Sequence, residues 1–586
     1  MNQVAQCSSK QVFDATNKDR LRTGESQNGN IGETKKKIKD FDDILPLVGQ
    51  FGWYQRILFL LMIPYATFFA FVYFTQIFMS VVPEEHWCWV PELADMTAEE
   101  RRNLAIPLDG DMKHDKCLMY DIDFKNINVT SMTGSNSNWP VTKCKHGWEY
   151  NFTDVPYQTI STELDWVCER DAYPATAQSV FFCGAILGGF IFGFIADKYG
   201  RIPALVGTNM IGFFAGVGTA FCNSFWSFCL CRFLVGMAYD NCFTVMYIIV
   251  IEYVGPKWRT FVANMSIAIF FTFSACSIPW IAIAVSDWKI YTLVTSVPLV
   301  LSILTPWVVP ESARWLISQG KIDKAIKIIK RCEKINGTTI PEEALKEFKE
   351  SALRSYDDNS TRSYSVLDLF KTPRLRRHFV LLVLIWMCIA VVFDGHVRNV
   401  DNLGLNVFLT FTVATFTECP ADIFLILILD RLGRRWVSFS SMAVSGIFSI
   451  LATTVQMGLP SATLAILGRF AVNISYNIGL QYAAELLPTV VRGQGVALIH
   501  IMGCVASIVA PFIVYLATIA VEIPLLILGC LGVFGGVLCL FLPESMGKDM
   551  PETLEEGEGY GVGQKFWDNP CCGRGYKHQA EANAEA

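Results

Sequence analysis

Carboxylates lie inside long apolar stretches of this chain, where charge is expensive. Asp240 lies twelve residues before Glu252, and Glu418 lies twelve residues before Asp430. In helices, both acids would lie about 18 Å from one end, near the middle of a bilayer. Asp394 adds a third acid in another apolar stretch. Acids at matching depth, where ionisable groups are usually functional, indicate a binding site for an organic cation.

An alternative interpretation is that arginines within the bundle neutralise these acids. Arg398 lies one turn from Asp394 and can pair with it. Arg232 and Arg469 also lie in apolar stretches, but nearer to their ends. The pattern favours free carboxylates at Asp240 and at Glu418, the acid at matching depth in the second half. It leaves the state of Asp394 undecided.

The helices that must position these acids belong to a strongly apolar chain. Of its 586 residues, 52% are hydrophobic and 17% are charged, and its mean hydropathy is +0.35. Soluble domains contain about 25% charged residues, so this composition indicates a membrane protein. The net charge of −6 gives no support for a nucleic-acid partner. Apolar runs long enough to cross a bilayer predict twelve transmembrane helices, at 57–82, 174–196, 203–222, 228–251, 260–284, 288–309, 378–398, 404–429, 436–458, 461–484, 494–518 and 522–542.

These helices predict five regions and one orientation. The regions are a cytoplasmic tail at 1–54, a six-helix half at 55–309 that includes a large extracellular loop at 83–173, a cytoplasmic loop at 310–377, a second six-helix half at 378–542 and a cytoplasmic tail at 543–586. The 311–377 segment contains 15 lysines and arginines, whereas the short loops after helices 3, 9 and 11 contain none. The positive-inside rule therefore predicts that both termini are cytoplasmic. No cleaved signal peptide is expected, because the first 50 residues are polar.

The predicted extracellular loop carries four cysteines and two glycosylation sequons. An even number of cysteines suits two disulfides in an oxidising compartment, and their connectivity stays open. Sequons predict surface positions that are glycosylated. The cysteines are Cys88, Cys117, Cys144 and Cys168, and the sequons begin at Asn128 and Asn151.

Ionisable residues of the first half recur in the second half at an offset of 233 residues. The pairs are Asp197 and Asp430, Arg201 and Arg434, Glu252 and Glu485, Arg259 and Arg492, and Glu311 and Glu544. All of them fall at predicted cytoplasmic helix ends. We predict a gate in which these groups tie the halves together in the outward-open state and separate in the inward-open state. Within it, Asp197 and Asp430 are expected to accept hydrogen bonds from a helix N-terminus. The alternative is that the arginines only mark the cytoplasmic side.

Longer motifs carry a resemblance to a known family. They are KCKHGWEY at 143–150, TELDWVC at 162–168, PESARWL at 310–316, KTPRLR at 371–376 and AELLPTVVR at 484–492. Together they resemble the organic cation, carnitine and organic anion transporters, solute carrier family 22 of the major facilitator superfamily, over roughly residues 40–550. The resemblance implies an all-α membrane protein with the major facilitator fold, twelve transmembrane helices in two six-helix halves. It also implies transport without ATP hydrolysis.

The same resemblance implies which residues line a central cavity. The matching positions here are Trp386, Phe393, Phe408, Glu418, Phe243, Tyr247 and Phe270. Aromatic ring faces attract organic ammonium groups. Two positions depart from the family. Cys504 stands where its cation transporters carry Asp and its anion and carnitine members carry Arg, and Asp240 stands where many cation transporters carry Lys. An arginine that would hold a carboxylate is absent while an acid is gained, which favours a small amine or cation.

These observations predict a plasma-membrane transporter that moves small organic cations by alternating access. The substrate would bind between the halves, near Asp240 and Glu418. The alternatives are a transporter of zwitterions or organic anions, and a receptor that binds without transport. No enzyme activity, cofactor or metal site is expected, because no catalytic or metal-ligand spacing stands out. The lipid bilayer is the other predicted partner, and the oligomeric state stays open.

Overall fold

The computed structural model describes residues 41–108, 114–124, 138–359, 365–548 and 550–564. Within them, the chain forms twelve long helical spans, which confirms the predicted all-α membrane fold. Numbered 1 to 12 in chain order, the spans are Trp53–Met79, Cys168–Lys198, Arg201–Thr219, Phe225–Tyr253, Pro256–Val285, Trp288–Val308, Pro373–Leu403, Val407–Leu429, Arg434–Ala452, Leu459–Leu486, Arg492–Thr518 and Ile523–Cys539.

Two spans depart from the simple apolar pattern of the other ten. Span 12 is an apolar helix of only 17 residues. Span 10 is a helix of 28 residues that carries Arg469, Asn473 and Asn477. These three side chains donate hydrogen bonds to residues of span 8, so they point into the protein and not toward lipid.

Several spans are interrupted, two of them beside the acids that the sequence singled out. Span 4 consists of the helices Phe225–Ala238 and Asn241–Tyr253, and span 8 of the helices Val407–Phe416 and Glu418–Leu432. These breaks place Asp240 directly before a helix and Glu418 at the first residue of one. Helix N-termini favour negative charge, and interrupted helices in transporters commonly form the substrate site.

The other interrupted spans contain short helical pieces. Span 1 contains the helices Trp53–Leu60 and Met62–Met79, and span 2 contains the 3-10 turn Cys168–Arg170 and the helix Tyr173–Lys198. Span 5 contains the helices Pro256–Met265 and Thr272–Val285 around the π-helical segment Ser266–Phe271, and span 6 contains the helices Trp288–Ser296 and Thr305–Val308 around the 3-10 segment Val297–Leu304. Span 7 contains the helix Pro373–Arg398 and the 3-10 turn Asn399–Leu403, and span 11 contains the helices Arg492–Ser507 and Ala510–Tyr515 and the 3-10 turn Leu516–Thr518.

One side of the bundle, which we call the loop side, carries a small domain between spans 1 and 2. Its elements are the strands β1 (His86–Cys88), β2 (Leu118–Tyr120), β3 (Val141–Lys143) and β4 (Trp148–Tyr150), the helices Ala98–Ala105 and Ile160–Glu163 and the 3-10 turn Pro91–Leu93. Strand β1 pairs antiparallel with β4, and β2 pairs antiparallel with β3. Disulfides join Cys88 to Cys144 and Cys117 to Cys168, which confirms the prediction of two bonds. Of the two sequon asparagines, Asn151 donates a hydrogen bond to Glu85 (3.0 Å), and Asn128 lies outside the described residues.

The opposite side, which we call the terminal side, carries the ends of the described chain and the segment between spans 6 and 7. Its elements are the helices Phe41–Val48, Ala313–Ser318, Ile322–Asn336, Glu342–Asn359 and Leu554–Gly559 and the 3-10 segment Val366–Phe370. The elements up to residue 359 pack with one another and on the first half, whereas Val366–Phe370 and Leu554–Gly559 pack on span 7. The connecting segment is therefore divided between the two halves.

The two halves meet through spans 2 and 11 and through spans 5 and 8. Toward the loop side, the Ser179 hydroxyl donates to the Ile508 carbonyl across this interface (2.7 Å). The Tyr515 hydroxyl donates to the Asp171 carboxylate (2.9 Å). These bonds close the loop side of a cavity that lies deeper between the halves.

Candidate functional site

A narrow cavity lies between the two halves. Spans 1, 2 and 4 contribute one wall, and spans 7, 10 and 11 contribute the other. The lining residues are Tyr73, Phe182, Tyr239, Trp386, Ala390, Phe393, Asp394, Tyr476, His500, Gly503, Cys504 and Ser507. Six aromatic side chains thus surround the Asp394 carboxylate, an arrangement that attracts an organic ammonium group.

The carboxylate of Asp394 is held by a group from the other half. The Tyr73 hydroxyl of span 1 donates a hydrogen bond to it, and Asp394 is only 4% exposed. The ring of Tyr73 packs against that of Tyr239, with centroids 5.0 Å apart. On the opposite wall, the ring of Phe393 stacks on that of Tyr476 at 4.5 Å. The carboxylate is therefore oriented inside a packed aromatic shell, in contact with both halves.

A second contact between the halves lies at the break of span 4. Oδ2 of Asp240 lies 3.6 Å from Nδ1 of His500, which belongs to span 11. His500 also packs against the cavity residue Trp386, with ring centroids 5.9 Å apart. Asp240 and His500 keep 29% and 22% of their side chains exposed, so a solute can reach them. The pair adds a second carboxylate at the rim of the aromatic shell.

The structure places Glu418 in an ion pair within the second half. Nη2 of Arg469 lies 2.8 Å from its carboxylate, and Nε of Arg469 donates to the Ala414 carbonyl at 3.1 Å. Glu418 is 4% exposed and does not line the cavity between the halves, and Asp422 accepts a hydrogen bond from Asn477. For Glu418, the structure shows the neutralised arrangement that was the alternative at the sequence level.

The aromatic residues singled out by resemblance divide into two groups. Trp386 and Phe393 line the cavity. The others lie outside the lining set. Phe408 packs on Phe78 (5.6 Å), Phe243 on Phe69 (5.9 Å) and Tyr247 (5.9 Å), and Phe270 on Phe59 (4.8 Å). Conversely, the sequence did not single out Tyr239, Tyr476 or His500. The sequence signals that could have indicated these cavity residues were their neighbours Asp240 and Asn477, and the one-turn spacing from His500 to Cys504.

The repeated motifs of the first half form a compact cluster at the terminal side. The Glu311 carboxylate accepts hydrogen bonds from the backbone N–H groups of Arg201 (2.9 Å) and Ile202 (3.2 Å), the first residues of span 3. Glu252 accepts a hydrogen bond from the Ser312 hydroxyl. The helix end that Asp197 was expected to bind is therefore capped by Glu311, and Asp197 instead pairs with Arg201 at 2.9 Å.

The second half repeats this geometry at its own terminal side. The Glu544 carboxylate accepts from the N–H groups of Arg434 (2.9 Å) and Arg435 (3.1 Å) at the start of span 9. Glu485 accepts from the Ser545 hydroxyl (2.7 Å) and pairs with Arg434 (3.1 Å). The side chain of Asp430, the remaining predicted member, lies outside the described part of the structure.

A glycine at the start of each cluster is required by its backbone. Gly200 and Gly433 have φ values of +120° and +82°, which L side chains rarely adopt. A Cβ on either residue would also come within 2.6 Å of a carboxylate oxygen of Glu311 or Glu544. The glycines therefore let each carboxylate reach the helix end that it caps.

The two clusters are closed within their own halves. The cluster contacts described above each lie within one half. The gate predicted from the repeat, which separates in the inward-open state, stays a prediction. Arg259 binds Asp42 (2.5 Å), a residue that precedes span 1. Its counterpart Arg492 donates to the carbonyls of Leu487 (3.1 Å) and Pro551 (3.5 Å). In this conformation, the hydrogen bonds from Ser179 to Ile508 and from Tyr515 to Asp171 tie the halves on the loop side.

Comparisons with known proteins agree with this architecture. Residues 142–556 match the family described as sugar (and other) transporter. The carcinine transporter of Drosophila melanogaster is 31% identical over 552 residues, covering 91% of this chain and 81% of that protein. Solute carrier family 22 member 2 of Rattus norvegicus is 31% identical over 536 residues, covering 88% of this chain and 95% of that protein. The chain belongs to solute carrier family 22. The organic cation transporter-like protein of Drosophila melanogaster is 32% identical over 537 residues, with coverage of 89% and 93%.

Solved structures show the fold of this solute carrier family 22 member. The proton:xylose symporter XylE of E. coli, a major facilitator superfamily protein, has a TM-score of 0.55 at 16% identity. The match covers 87% of this chain and 99% of that chain. The protein is therefore a multi-pass membrane transporter with the major facilitator fold, as the sequence predicted.

One contact of this transporter joins its N-terminal helix to the first cluster. Asp42 lies between the guanidinium groups of Arg259 (2.5 Å) and Arg314 (2.6 Å). Burial raises the pKa of Asp42, but the two arginines outweigh this effect, and its net pKa lies below the ordinary value. A depressed pKa stabilises the folded state above the unfolded pKa, and this contribution is lost as the pH falls through the folded value. Below about pH 4, the contact should therefore weaken.

We expect Asp42→Asn to release the helix Phe41–Val48 at neutral pH, because it removes the charge that both arginines bind. Hydrogen–deuterium exchange of residues 41–52 should become faster than in the wild type. Asp323→Asn is the matched control, since its pair with Lys349 on the same side has an 83% exposed carboxylate and contributes little. Unchanged exchange in Asp42→Asn would show that apolar packing alone holds the helix.

Proposed function

We propose that this protein transports small organic cations across the plasma membrane by alternating access, with the ammonium group bound in the cavity between the halves. The observation that carries the proposal is the Asp394 carboxylate, buried among six aromatic side chains from both halves. Ring faces and a carboxylate attract an ammonium group together, and desolvation strengthens both attractions. The name of the organic cation transporter-like relative agrees with this substrate class.

In the proposed mechanism, substrate binding acts on a contact between the two halves inside the cavity. The Tyr73 hydroxyl of the first half donates to Asp394 of the second half. An ammonium group that binds Asp394 competes with this hydroxyl for the same carboxylate. Substrate that arrives from the loop side would bind the Asp394 carboxylate. As the loop side closes, the Tyr73 hydroxyl would replace the substrate on that carboxylate. The Asp240–His500 contact (3.6 Å) is a second link between the halves that a bound cation would affect in the same way.

The clusters at the terminal side have a different proposed role. Each keeps the ends of its own spans together through a capping carboxylate, Glu311 or Glu544. A half that is held in this way moves as a rigid body, as rocking-type alternating access requires. The half-buried arginines Arg201 and Arg434 would contact the opposite half when the terminal side closes. The contact between Arg259 and Asp42 would likewise hold the helix Phe41–Val48 to the first half.

We place the terminal side in the cytoplasm and the loop side outside the cell. The segment 311–377 on the terminal side carries 15 lysines and arginines, in agreement with the positive-inside rule. The domain on the loop side contains two disulfides, which persist in an oxidising compartment. Selective labelling of cysteines introduced on each side of intact cells tests this orientation.

Uptake by cells that express the full-length protein tests the proposed function. Labelled amines, an amino acid and a carboxylate are compared at equal surface expression, with untransfected cells as the control. We expect saturable uptake of at least one amine that other amines inhibit and carboxylates do not. Inhibition by carboxylates alone would support the anion alternative. Binding without flux would support a receptor.

A further inference from the structure

A second, small cavity lies inside the first half and shares no lining residue with the cavity between the halves. Spans 1, 3, 4 and 6 enclose it. Five hydroxyl-bearing residues line it together with one arginine. These residues are Thr75, Thr219, Thr292, Thr295, Ser296 and Arg232. None of the described residues that line this cavity is acidic.

Arg232 lacks the partners that a buried arginine requires. It is 2% exposed, and in the described part of the chain its Nε and Nη2 atoms have no hydrogen-bond partner. Its guanidinium lies over the ring of Phe181, with Cζ 4.8 Å from the ring centroid. A second cation, Arg398, is among the charged groups that act on it. The side chain therefore presents an uncompensated positive charge and a free two-atom donor edge.

The second half shows how the same feature is neutralised when a carboxylate is present. Arg232-Phe in span 4 and Arg469-Phe in span 10 lie near the same end of their spans, but they are 237 residues apart and so about one helical turn out of register with the repeat offset of 233. Arg469 donates to the Ala414 carbonyl and pairs with Glu418. At the offset of 233 residues, the equivalents of Ala414 and Glu418 are Phe181 and Ala185. The first half therefore has a buried arginine near the same end of its bundle, but no carboxylate at the position equivalent to Glu418.

We infer that this cavity binds a small monovalent anion, which takes the place of the missing carboxylate. The Nε and Nη2 edge of a guanidinium presents two parallel N–H donors, the geometry that receives an anion in a bidentate manner. An arginine stays charged in proteins, so water alone does not neutralise it. The anion site is separate from the cation site and does not depend on the proposed function.

The size and lining of the cavity suit such a ligand. The space between these side chains has room for about one small ion or water molecule. Thr75 and Thr295 donate to the carbonyls of Phe71 (2.6 Å) and Tyr291 (3.1 Å) in their own helices. Hydroxyl groups rotate to suit their partners, so these donors can turn toward an anion that binds Arg232.

Thermal unfolding of the purified full-length protein at constant ionic strength tests the inference. Sodium gluconate, whose anion is too large for the donor edge and its hydroxyl shell, is replaced stepwise by sodium chloride or, separately, by sodium formate. We expect the wild-type melting temperature to rise by several degrees and to saturate, since a ligand that binds only the folded state stabilises it. In Arg232→Leu we expect no response to either anion, and a higher melting temperature than the wild type in gluconate, because an unpaired buried charge is removed.

A matched pair at Thr75 keeps the test decisive if Arg232→Leu does not fold. Thr75→Asp supplies a carboxylate inside the cavity and should abolish the chloride and formate responses. Thr75→Asn, which has the same shape without the charge, should still respond. A wild type without a saturable response, or an equal response in Arg232→Leu or Thr75→Asp, would overturn the inference. None of these measurements involves cation uptake, so failure of the proposed function leaves their outcome unchanged.

Discussion

An Asp394→Asn protein is expected to take up organic cations about 100 times more slowly than the wild type at equal surface expression. Asparagine keeps the shape of the side chain but removes its charge, and position 394 is 4% exposed, so little solvent replaces that charge. Truncating one partner of a buried charge pair costs about 2–5 kcal/mol, and about 1.4 kcal/mol corresponds to a factor of ten. Initial rates of uptake of a labelled amine over a range of concentrations measure the loss.

Removing the Tyr73 hydroxyl that binds Asp394 should lower uptake less than removing the Asp394 charge. Comparing the two variants distinguishes the effect of the charge from the effect of how the carboxylate is oriented. Tyr73→Phe keeps the ring that packs on Tyr239 and removes only the donor to Asp394. One hydrogen bond to a charged group contributes about 1.5–3 kcal/mol, and here a bound ammonium group or solvent can replace the donor. We therefore expect uptake to fall by about tenfold or less.

Asp422→Asn is the matched control for the charge. Asp422 is also a buried carboxylate of the second half, 1% exposed, but it is bound by Asn477 and does not line the cavity. Cation uptake by the Asp422→Asn protein should stay within about threefold of the wild type. Equal losses in Asp394→Asn and Asp422→Asn would mean that buried acids act through the stability of the half. Wild-type uptake in Asp394→Asn would remove the carboxylate from the proposed site.

The sequence predicted the twelve spans because long apolar runs have few alternatives in a folded chain. It did not predict where the spans break. Span 4 is interrupted at Tyr239 and Asp240, and span 8 at Thr417, inside runs that read as continuous helices. Those breaks depend on packing against neighbouring spans, which a local pattern does not contain.

The repeat predicted which terminal-side residues form clusters, but not which group each carboxylate binds. Glu311 and Glu544 reach the backbone N–H groups at the start of spans 3 and 9, a role that was expected for the aspartates of the repeated motif. Which carboxylate reaches a helix end depends on how the chain after spans 6 and 12 folds back. A constant offset in sequence shows that two positions are equivalent, and says nothing about their partners.

The cavity was predicted in part, for a similar reason. Depth follows from the rise of a helix, so Asp240 and Glu418 were correctly expected near the middle of their spans. The direction in which a side chain points around the helix axis depends on the neighbouring helices. Asp240 points toward His500 of the other half, whereas Glu418 points toward Arg469 of its own half. One histidine or tyrosine on an apolar helix, such as His500 or Tyr476, carries no signal that separates a cavity residue from a packing residue.

Replacing Arg469 by methionine is expected to lower the free energy of unfolding by about 3–5 kcal/mol. Arg469 is 1% exposed, and its loss leaves the buried Glu418 carboxylate without its partner. Methionine keeps an apolar contact with the ring of Phe393, over which the guanidinium lies at 5.1 Å. The midpoint of unfolding of the purified protein, compared with the wild type in the same detergent and salt, measures the loss.

The double variant Glu418→Leu/Arg469→Met distinguishes a structural pair from a substrate ligand. Replacing a buried ion pair by apolar residues of similar volume is often neutral or stabilising, so the double variant should unfold later than Arg469→Met alone. If Glu418 only neutralises Arg469, the double variant should also retain most cation uptake, because neither residue lines the cavity between the halves. A double variant that is stable and reaches the cell surface but does not transport would place Glu418 in the substrate pathway. The ion pair with Arg469 would then be the resting state of a ligand that turns toward the cation during the transport cycle.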